Sequence, residues 1–298
     1  MTKSPSKPRT TRTDGRAGRF YDITHADGTT ARYPSVTTIL SAIAKPALVG
    51  WAAKEERLAV SEAAADFHAE TAGRQLPRSM YLLGLEQRLG KTKAHLKVLA
   101  AASEIGTAIH GKIEWILKRQ LGQIVGPEPQ LVDEAEWAVM AFDDLRKAVN
   151  LAPILIEQII WSRQHEYAGT LDLVARLDGP ALLTVLAQQG PVDASLATWL
   201  AARDTVTACI DFKSGRAVYG ESLLQSAAYT RALIEMGHGP VDGGLIIRLP
   251  KVLTDPAFQV VVVPPASKLL PTFLAAKELW TWQFQQEQAY QARRKAVA

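Results

Sequence analysis

The chain is poor in cysteine, because Cys209 is the only cysteine among its 298 residues. An internal disulfide needs two cysteines, and an iron–sulfur cluster with four cysteine ligands needs four. The sequence excludes both, and the lone thiol fits a reducing compartment. No run approaches the roughly 20 apolar residues that span a bilayer, and no apolar signal core follows Met1. We therefore expect a cytoplasmic protein with no membrane partner.

The chain also lacks a strong excess of one charge, since 34 basic and 30 acidic residues give +4. The excess lies in residues 1–19, where six basic residues and one acidic residue leave the rest of the chain near −1. We expect residues 1–19 to form a basic, disordered tail. The tail either gathers polyanions or serves as a solubilising leader. A transit peptide is disfavoured, because the apolar residues of an amphipathic helix are absent before Phe20.

Hydrophobic residues make up 47% of the chain, which indicates a folded core, and we expect one domain over residues 20–298. Short alternating segments at 20–23 and 30–33 flank an Ala-Asp-Gly turn and predict a β-hairpin. Ser35 then fits the N-cap of a helix. Helical spacing continues, with breaks, to about residue 149. The first half is therefore predicted to be mainly helical.

The spacing of apolar residues changes after Pro153 to the pattern of strands. Strands are predicted at 154–161, 167–177, 205–213, 243–249 and 258–263, with a helix at 221–236 and another at the C-terminus. This order predicts an α/β core preceded by a helical elaboration. Residues 178–206 form an insertion between the second and third strands. A lid and a partner site are the two interpretations of this insertion.

Two acidic positions stand out in the predicted strands. Asp211 and Lys213 are two residues apart and share one face of a strand, where a carboxylate and an ammonium can serve a metal and its water. Asp172 interrupts an apolar strand and must be solvated, paired or bound to metal. Each signal also has a plain explanation, a surface ion pair for the first and an edge-strand carboxylate facing water for the second. Neither decides alone.

Two helical pairs extend this pattern. His110 and Glu114 lie one turn apart in a helix that follows Gly106-Thr107, and Gln225 and Tyr229 lie one turn apart in the helix after Lys213. Packing alone would explain either pair. The fixed order is more specific: a helical histidine, an aspartate after Gly-Thr, Asp-Phe-Lys at a strand end, and then a Gln/Tyr helix.

In that order the chain resembles a RecB-like member of the PD-(D/E)XK nuclease superfamily, whose restriction-endonuclease-like core has a mixed central sheet. The matching residues are 106–110, Glu157, 169–172, 211–215 and 225–229. Residues 34–40, followed by Lys45-Pro46 and Trp51, are also similar to the mitochondrial genome maintenance exonuclease and related phage exonucleases. This second match is shorter.

The resemblance implies roles for the matching residues. His110, Asp172, Asp211 and the Phe212 carbonyl would be metal ligands, Lys213 would orient or activate water, and Gln225 and Tyr229 would steady the site or touch nucleic acid. Glu114 and Glu157 would be outer carboxylates or ligands of a second metal, with Glu157 counted among the catalytic candidates. An oxygen-rich set with one imidazole suits Mg²⁺ or Mn²⁺.

The implied activity is hydrolysis of DNA by an exonuclease that acts on single strands or duplex ends. Ser35 and Thr37, at a helix N-terminus, could meet a phosphate. An inactive DNA-end-binding or scaffold module on the same fold, and an endonuclease, remain alternatives. Many relatives carry four cysteines around an iron–sulfur cluster, which this chain cannot form.

Overall fold

The computed structural model describes residues 9–15, 17–71, 74–252, 254–255 and 258–297. The chain divides into two compact units, Met1–Ile43 with Ala108–Ala298, and Ala44–Thr107. The single domain expected over residues 20–298 stays a prediction. One border between the units falls inside a continuous helix, α4 (Ala94–Gln120), so no change of composition marks it.

A three-stranded antiparallel sheet opens the first unit. Its strands are β1 (Arg9–Gly15), β2 (Gly18–Thr24) and β3 (Thr30–Pro34), in that order. The predicted hairpin is confirmed, but the prediction of a disordered tail is wrong for Arg9–Gly15. This threonine-rich segment pairs with β2 along its length, and Asp14 forms ion pairs with Arg12 and Arg19. Residues 1–8 and Arg16, which belong to the same prediction, lie outside the described residues.

The second unit is helical, as the sequence predicts. It contains α2 (Pro46–Glu70), α3 (Arg78–Leu89) and the first part of α4 (Ala94–Gln120). Gly84 lets α3 approach α2 closely, because a Cβ there would overlap the Phe67 ring. Glu56 accepts a hydrogen bond from His95 Nδ1 at 2.7 Å and so joins α2 to the start of α4.

The larger sheet is mixed and has five strands in the order β4-β5-β6-β7-β8. The strands are β4 (Ala152–Ser162), β5 (Tyr167–Asp178), β6 (Thr205–Lys213), β7 (Gly243–Arg248) and β8 (Gln259–Val263). Only β6 and β7 run parallel within this sheet, joined by the crossover helix α8 (Gly220–Glu235). The predicted α/β fold with a mixed central sheet is confirmed at this level.

Three further helices, together with α8, pack around the sheet. They are α1 (Val36–Leu40), α5 (Asp133–Ala148) and α9 (Ala266–Val297). The main core joins the sheet to α1, α8 and α9 through fully buried side chains such as Ile39, Leu171, Leu233 and Phe273. α5 contributes Phe142, whose ring packs edge-on against Phe212 of β6 at 5.4 Å.

The insertion between β5 and β6 is helical. It consists of α6 (Gly179–Gln189) and α7 (Ala194–Ala201), whose N-termini are capped by the side chains of Asp178 and Asp193. It packs on the body of the unit, where the Gln189 side chain accepts a hydrogen bond from the Val260 N–H at 2.9 Å. It starts six residues beyond Asp172 on β5, or about 20 Å at strand rise. Val260 pairs with Ile247, which pairs with Phe212, so the Gln189 end of α6 reaches the level of Asp211 in the sheet.

No helix in the described part of the chain is both long enough and apolar enough to cross a membrane.

Candidate metal centre

The centre forms where β5 and β6 separate. The last registered pair of these strands is Leu173 with Ile210, so Asp172 and Asp211 are the next residue on each strand. The Phe212 N–H donates to Asp172 Oδ2 at 2.8 Å. Burial would raise the pKa of Asp172, but the His110 and Lys213 cations and the Phe212 N–H hold it below its ordinary value. Asp172 is therefore an anion held within an apolar strand.

α4 carries His110 to the same place. Its Nδ1 lies 3.6 Å from Asp172 Oδ1, and its ring stands edge-on to Phe212. Burial alone would lower the pKa of His110, but the carboxylate of Asp172, with help from Asp211 and Glu157, raises it to about 9. The imidazole is therefore protonated at neutral pH, and a metal that binds it must displace a proton.

Glu157 on β4 completes a group of three. It lies across from Asp172, between the pairs Ile156–Leu173 and Gln158–Leu171. Its φ of 48° is in the left-handed region, which a glutamate rarely adopts and which costs on the order of 1 kcal/mol or more. One ligand atom from each of His110, Glu157 and Asp172 lies within 4.8 Å of the others. The strained backbone conformation thus occurs at Glu157, the residue that brings a second carboxyl to this group.

The surroundings make the Glu157 carboxylate hard to ionise. Burial and the nearby charge of Asp172 raise its pKa to about 7, although His110 opposes the shift. When Glu157 ionises, the group carries a net negative charge, because two carboxylates then face one imidazolium. A divalent ion would balance this negative charge.

Asp211 stands beside this group with its own partners. Lys213 Nζ forms an ion pair with Asp211 Oδ2 at 2.8 Å, Gln225 Nε2 donates to Asp211 Oδ1 at 2.8 Å, and Lys213 Nζ donates to Gln225 Oε1 at 3.3 Å. Burial raises the pKa of Asp211 to about 6, against the lowering effect of Lys213. Asp211 Oδ2 is fully buried and accepts no hydrogen bond of good geometry. This oxygen retains a free lone pair.

Lys213 remains a cation in this setting. Burial lowers its pKa, but Asp211 and Asp172 outweigh that effect and raise it above the ordinary value. Lys213 therefore donates hydrogen bonds and positive charge, and it does not act as a neutral base at physiological pH.

Tyr229 and Gly169 fit against each other behind the centre. A Cβ at Gly169 would lie 2.5 Å from the Tyr229 ring and 2.8 Å from its hydroxyl oxygen, so the close approach requires glycine. Burial raises the pKa of the phenol well above 10, which keeps it neutral. Gly169 and Thr170, which precede Leu171 and Asp172, thus have structural roles. Gly169 packs against Tyr229, and Thr170 Oγ1 lies 2.9 Å from the Tyr21 hydroxyl oxygen, within hydrogen-bond distance.

Two of the remaining predicted residues, Ser35 and Thr37, lie at the start of α1. Ser35 is buried and caps α1, where its hydroxyl accepts from the Thr38 N–H at 3.0 Å. Thr37 is exposed and lies 3.0 Å from the Ser35 hydroxyl. A helix of five residues, with its cap already filled, offers little to a phosphate.

The structure brings together a group of three that differs in one member from the predicted His110, Asp172 and Asp211. His110 and Asp172 come together as predicted, but the third member of the compact group is Glu157, and Asp211 is engaged by Lys213 and Gln225. Glu114 pairs with Lys118 on the next turn at 2.5 Å. The sequence analysis missed Lys118, although its spacing of four from Glu114 and eight from His110 would have placed it on the same face.

Comparison with known proteins identifies no relative. No family model matches the chain, and no curated protein sequence matches it. The geometry of this centre is therefore the basis for a proposed function.

Proposed function

We propose that the protein is a metal-dependent DNA nuclease with a PD-(D/E)XK core of the RecB-like branch, acting in the cytoplasm of a bacterial or phage-infected cell. One observation carries the proposal: the His110–Glu157–Asp172 group adjoins an Asp211–Lys213 pair at the end of one strand. The elements occur in the order that the resemblance implies, a histidine helix, three strands and a crossover helix.

The residues present fit a divalent cation. His110, Glu157 and Asp172 would hold it, and the buried Asp211 Oδ2, which is paired with the Lys213 ammonium at 2.8 Å, is the candidate fourth ligand. One imidazole among carboxylate oxygens suits Mg²⁺ or Mn²⁺. Such an ion, when bound, polarises a phosphate and lowers the pKa of water.

The chain's own groups support hydrolysis around that position. Lys213, fixed as a cation by Asp211, is placed to orient water or to neutralise charge on a phosphate oxygen. Gln225 holds both partners of that pair and so limits their rotation. The overall reaction adds water across a P–O bond, giving a phosphomonoester and a free hydroxyl.

The completeness of the set favours an enzyme over a binding module that has lost activity. Asp172, Asp211 and Lys213 are all present and in mutual electrostatic contact. An inactive copy would have no reason to keep a buried carboxylate–ammonium pair, since replacing such a pair with apolar residues is often neutral or stabilising.

The test compares end-labelled linear and closed circular single-stranded DNA, each with Mg²⁺ or Mn²⁺. We expect linear DNA to be degraded and circles to resist, as an exonuclease requires a free end. Lys213→Ala is expected to lower turnover by orders of magnitude, whereas Lys147→Ala, on the exposed surface of α5, leaves it unchanged. Wild-type turnover by Lys213→Ala, or full activity in EDTA, refutes the proposal. Cleavage of circles moves the protein to the endonuclease alternative.

A further inference from the structure

The second half of α9 carries two large aromatic side chains that face solvent. Trp282 is 59% exposed and Tyr290 is 56% exposed. The first half of the same helix buries its rings, since Phe273 is fully buried and the buried Trp280 stacks on Phe284. Burial of an aromatic side chain removes roughly 150–250 Å² from water. The two exposed rings therefore leave a large apolar area that a partner could cover.

The end of α9 beyond these rings is positively charged. Three consecutive basic residues are exposed there: Arg293, Arg294 and Lys295. Within the described part of the chain, no acidic side chain forms an ion pair with any of them. Glu287, the one acidic residue in 286–297, instead accepts a hydrogen bond from Gln291 at 2.6 Å. This segment therefore has three basic residues against one acidic residue, and its cations are available to an anionic partner.

The rings and the basic residues lie along one side of the helix. Trp282 and Tyr290 are eight residues apart, or about 12 Å along the axis, and Arg294 follows Tyr290 by one turn. These three side chains fall within about one third of the helix circumference. The Arg294 guanidinium carbon lies 6.0 Å from the centre of the Tyr290 ring. We call this side of the helix, with Arg293 and Lys295, the aromatic–basic face of α9.

The aromatic–basic face fits a single strand of nucleic acid. An aromatic ring can stack on an unpaired base, and cations beside the ring can contact the phosphates that link the bases. In a duplex the bases stack on each other, so their faces are closed to the rings. A partner that is only anionic would not need the rings, and a partner that is only apolar would not need the charges. Both features are used by a polymer that alternates flat bases with phosphates.

We propose that the aromatic–basic face of α9 binds single-stranded DNA, with Trp282 and Tyr290 stacking on bases and the basic end contacting phosphates. The identification of the polymer as DNA rests on the proposed function, and the inference narrows the substrate to a form with unpaired bases. The surface lies on α9, whereas the candidate metal ligands lie on α4, β4, β5 and β6.

The experiment measures the anisotropy of a labelled single-stranded oligonucleotide mixed with the full-length protein in EDTA. We expect Trp282→Ala and Tyr290→Ala each to raise the Kd about tenfold, because each removes stacking on one base. Trp282→Phe and Tyr290→Phe keep a ring and should recover most of the affinity. An abasic strand of the same length should bind the wild type no better than the intact strand binds the protein that carries both alanine substitutions.

A second series tests the phosphate contacts through their salt dependence. For single strands each contact adds about 0.7 to the slope of log Kd against log salt concentration. The triple variant Arg293→Gln/Arg294→Gln/Lys295→Gln should therefore lower that slope by about 2. Lys268→Gln is the matched control, because Lys268 is an exposed lysine at the opposite end of the same helix. It should leave the slope unchanged.

Three results overturn the inference. The first is an unchanged Kd for the single strand in both alanine variants. The second is an equal loss of affinity for the single strand and for a duplex of the same length, because stacking requires unpaired bases. The third is a wild type that sediments as a dimer and a Trp282→Ala protein that sediments as a monomer with unaltered DNA binding, which would assign the face to a second copy of the chain. Failure of the proposed nuclease activity is a separate result, seen as wild-type turnover by Lys213→Ala.

Discussion

Replacing Glu157 with glutamine is expected to make the metal-free protein more stable at alkaline pH. The carboxyl has a pKa of about 7 in the folded protein against 4.5 as a free side chain. That difference corresponds to roughly 3 kcal/mol, and partial exposure reduces it to about 1–2 kcal/mol. Glutamine removes the charge, while the left-handed backbone strain stays in place. The substitution therefore isolates the electrostatic cost.

The sign follows from proton binding. A raised carboxyl pKa means that the folded state holds the proton more tightly than the unfolded state, so ionisation of Glu157 opposes folding. The cost is small near pH 4.5, grows up to pH 7 and is complete above it. The stability advantage of the variant is therefore expected to be larger at pH 8 than at pH 5.

Urea unfolding in EDTA at these two pH values measures the effect. Glu166→Gln is the matched control, because Glu166 also has a positive φ, 52°, but its side chain is 72% exposed. The free energy of unfolding of Glu166→Gln should stay within about 0.5 kcal/mol of the wild-type value at both pH values. With Mn²⁺ added, the wild type is expected to become more stable than Glu157→Gln, since the wild type binds the ion more tightly and bound ion stabilises the folded state. In EDTA, an equal stability difference between Glu157→Gln and the wild type at pH 5 and pH 8 would refute the reasoning.

Three further outcomes are expected. Gly169→Ala should destabilise the fold by about 1–3 kcal/mol in urea unfolding, and most of that loss should disappear in a Tyr229→Ala background; equal losses in both backgrounds would contradict the contact. Mn²⁺ affinity, measured by titration, should rise up to about tenfold per pH unit between pH 7 and 9, because His110 must lose a proton; a flat profile would argue against His110 as a ligand. Gln225→Leu should lower kcat by about tenfold or more with little change in KM, because it frees both Asp211 and Lys213, and an unchanged kcat would remove its positioning role.

The strands of the larger sheet could be predicted from sequence because their signals are local. The β-branched density at 154–161 and the alternation at 205–213 match β4 and β6 closely. The pairing of Arg9–Gly15 with β2 could not be predicted, since the segment is polar and its stability comes from a partner strand. The unit border within α4 was equally hidden, because a continuous helix crosses it.

The candidate site was predictable to the extent that spacing determines it. The shared face of Asp211 and Lys213 follows from strand periodicity, whereas the place of Gln225 beside them was expected only from the family resemblance. The place of Glu157 in the compact group depends on a left-handed backbone conformation, which no propensity for glutamate predicts. Its distance from His110 is also set by packing between α4 and the sheet, and sequence spacing carries no information about that distance.

The placement of α6 and α7 has a practical consequence. Their connection, near Gly190 and Asp193, is reached from the ends of β5 and β6 that point away from Asp172 and Asp211. A fluorophore or an affinity tag inserted in this connection would be carried by the folded body, beside the edge strand β8, to which Gln189 is hydrogen-bonded. Single-molecule observation of the protein on DNA could therefore use an internal label and leave both chain ends unmodified.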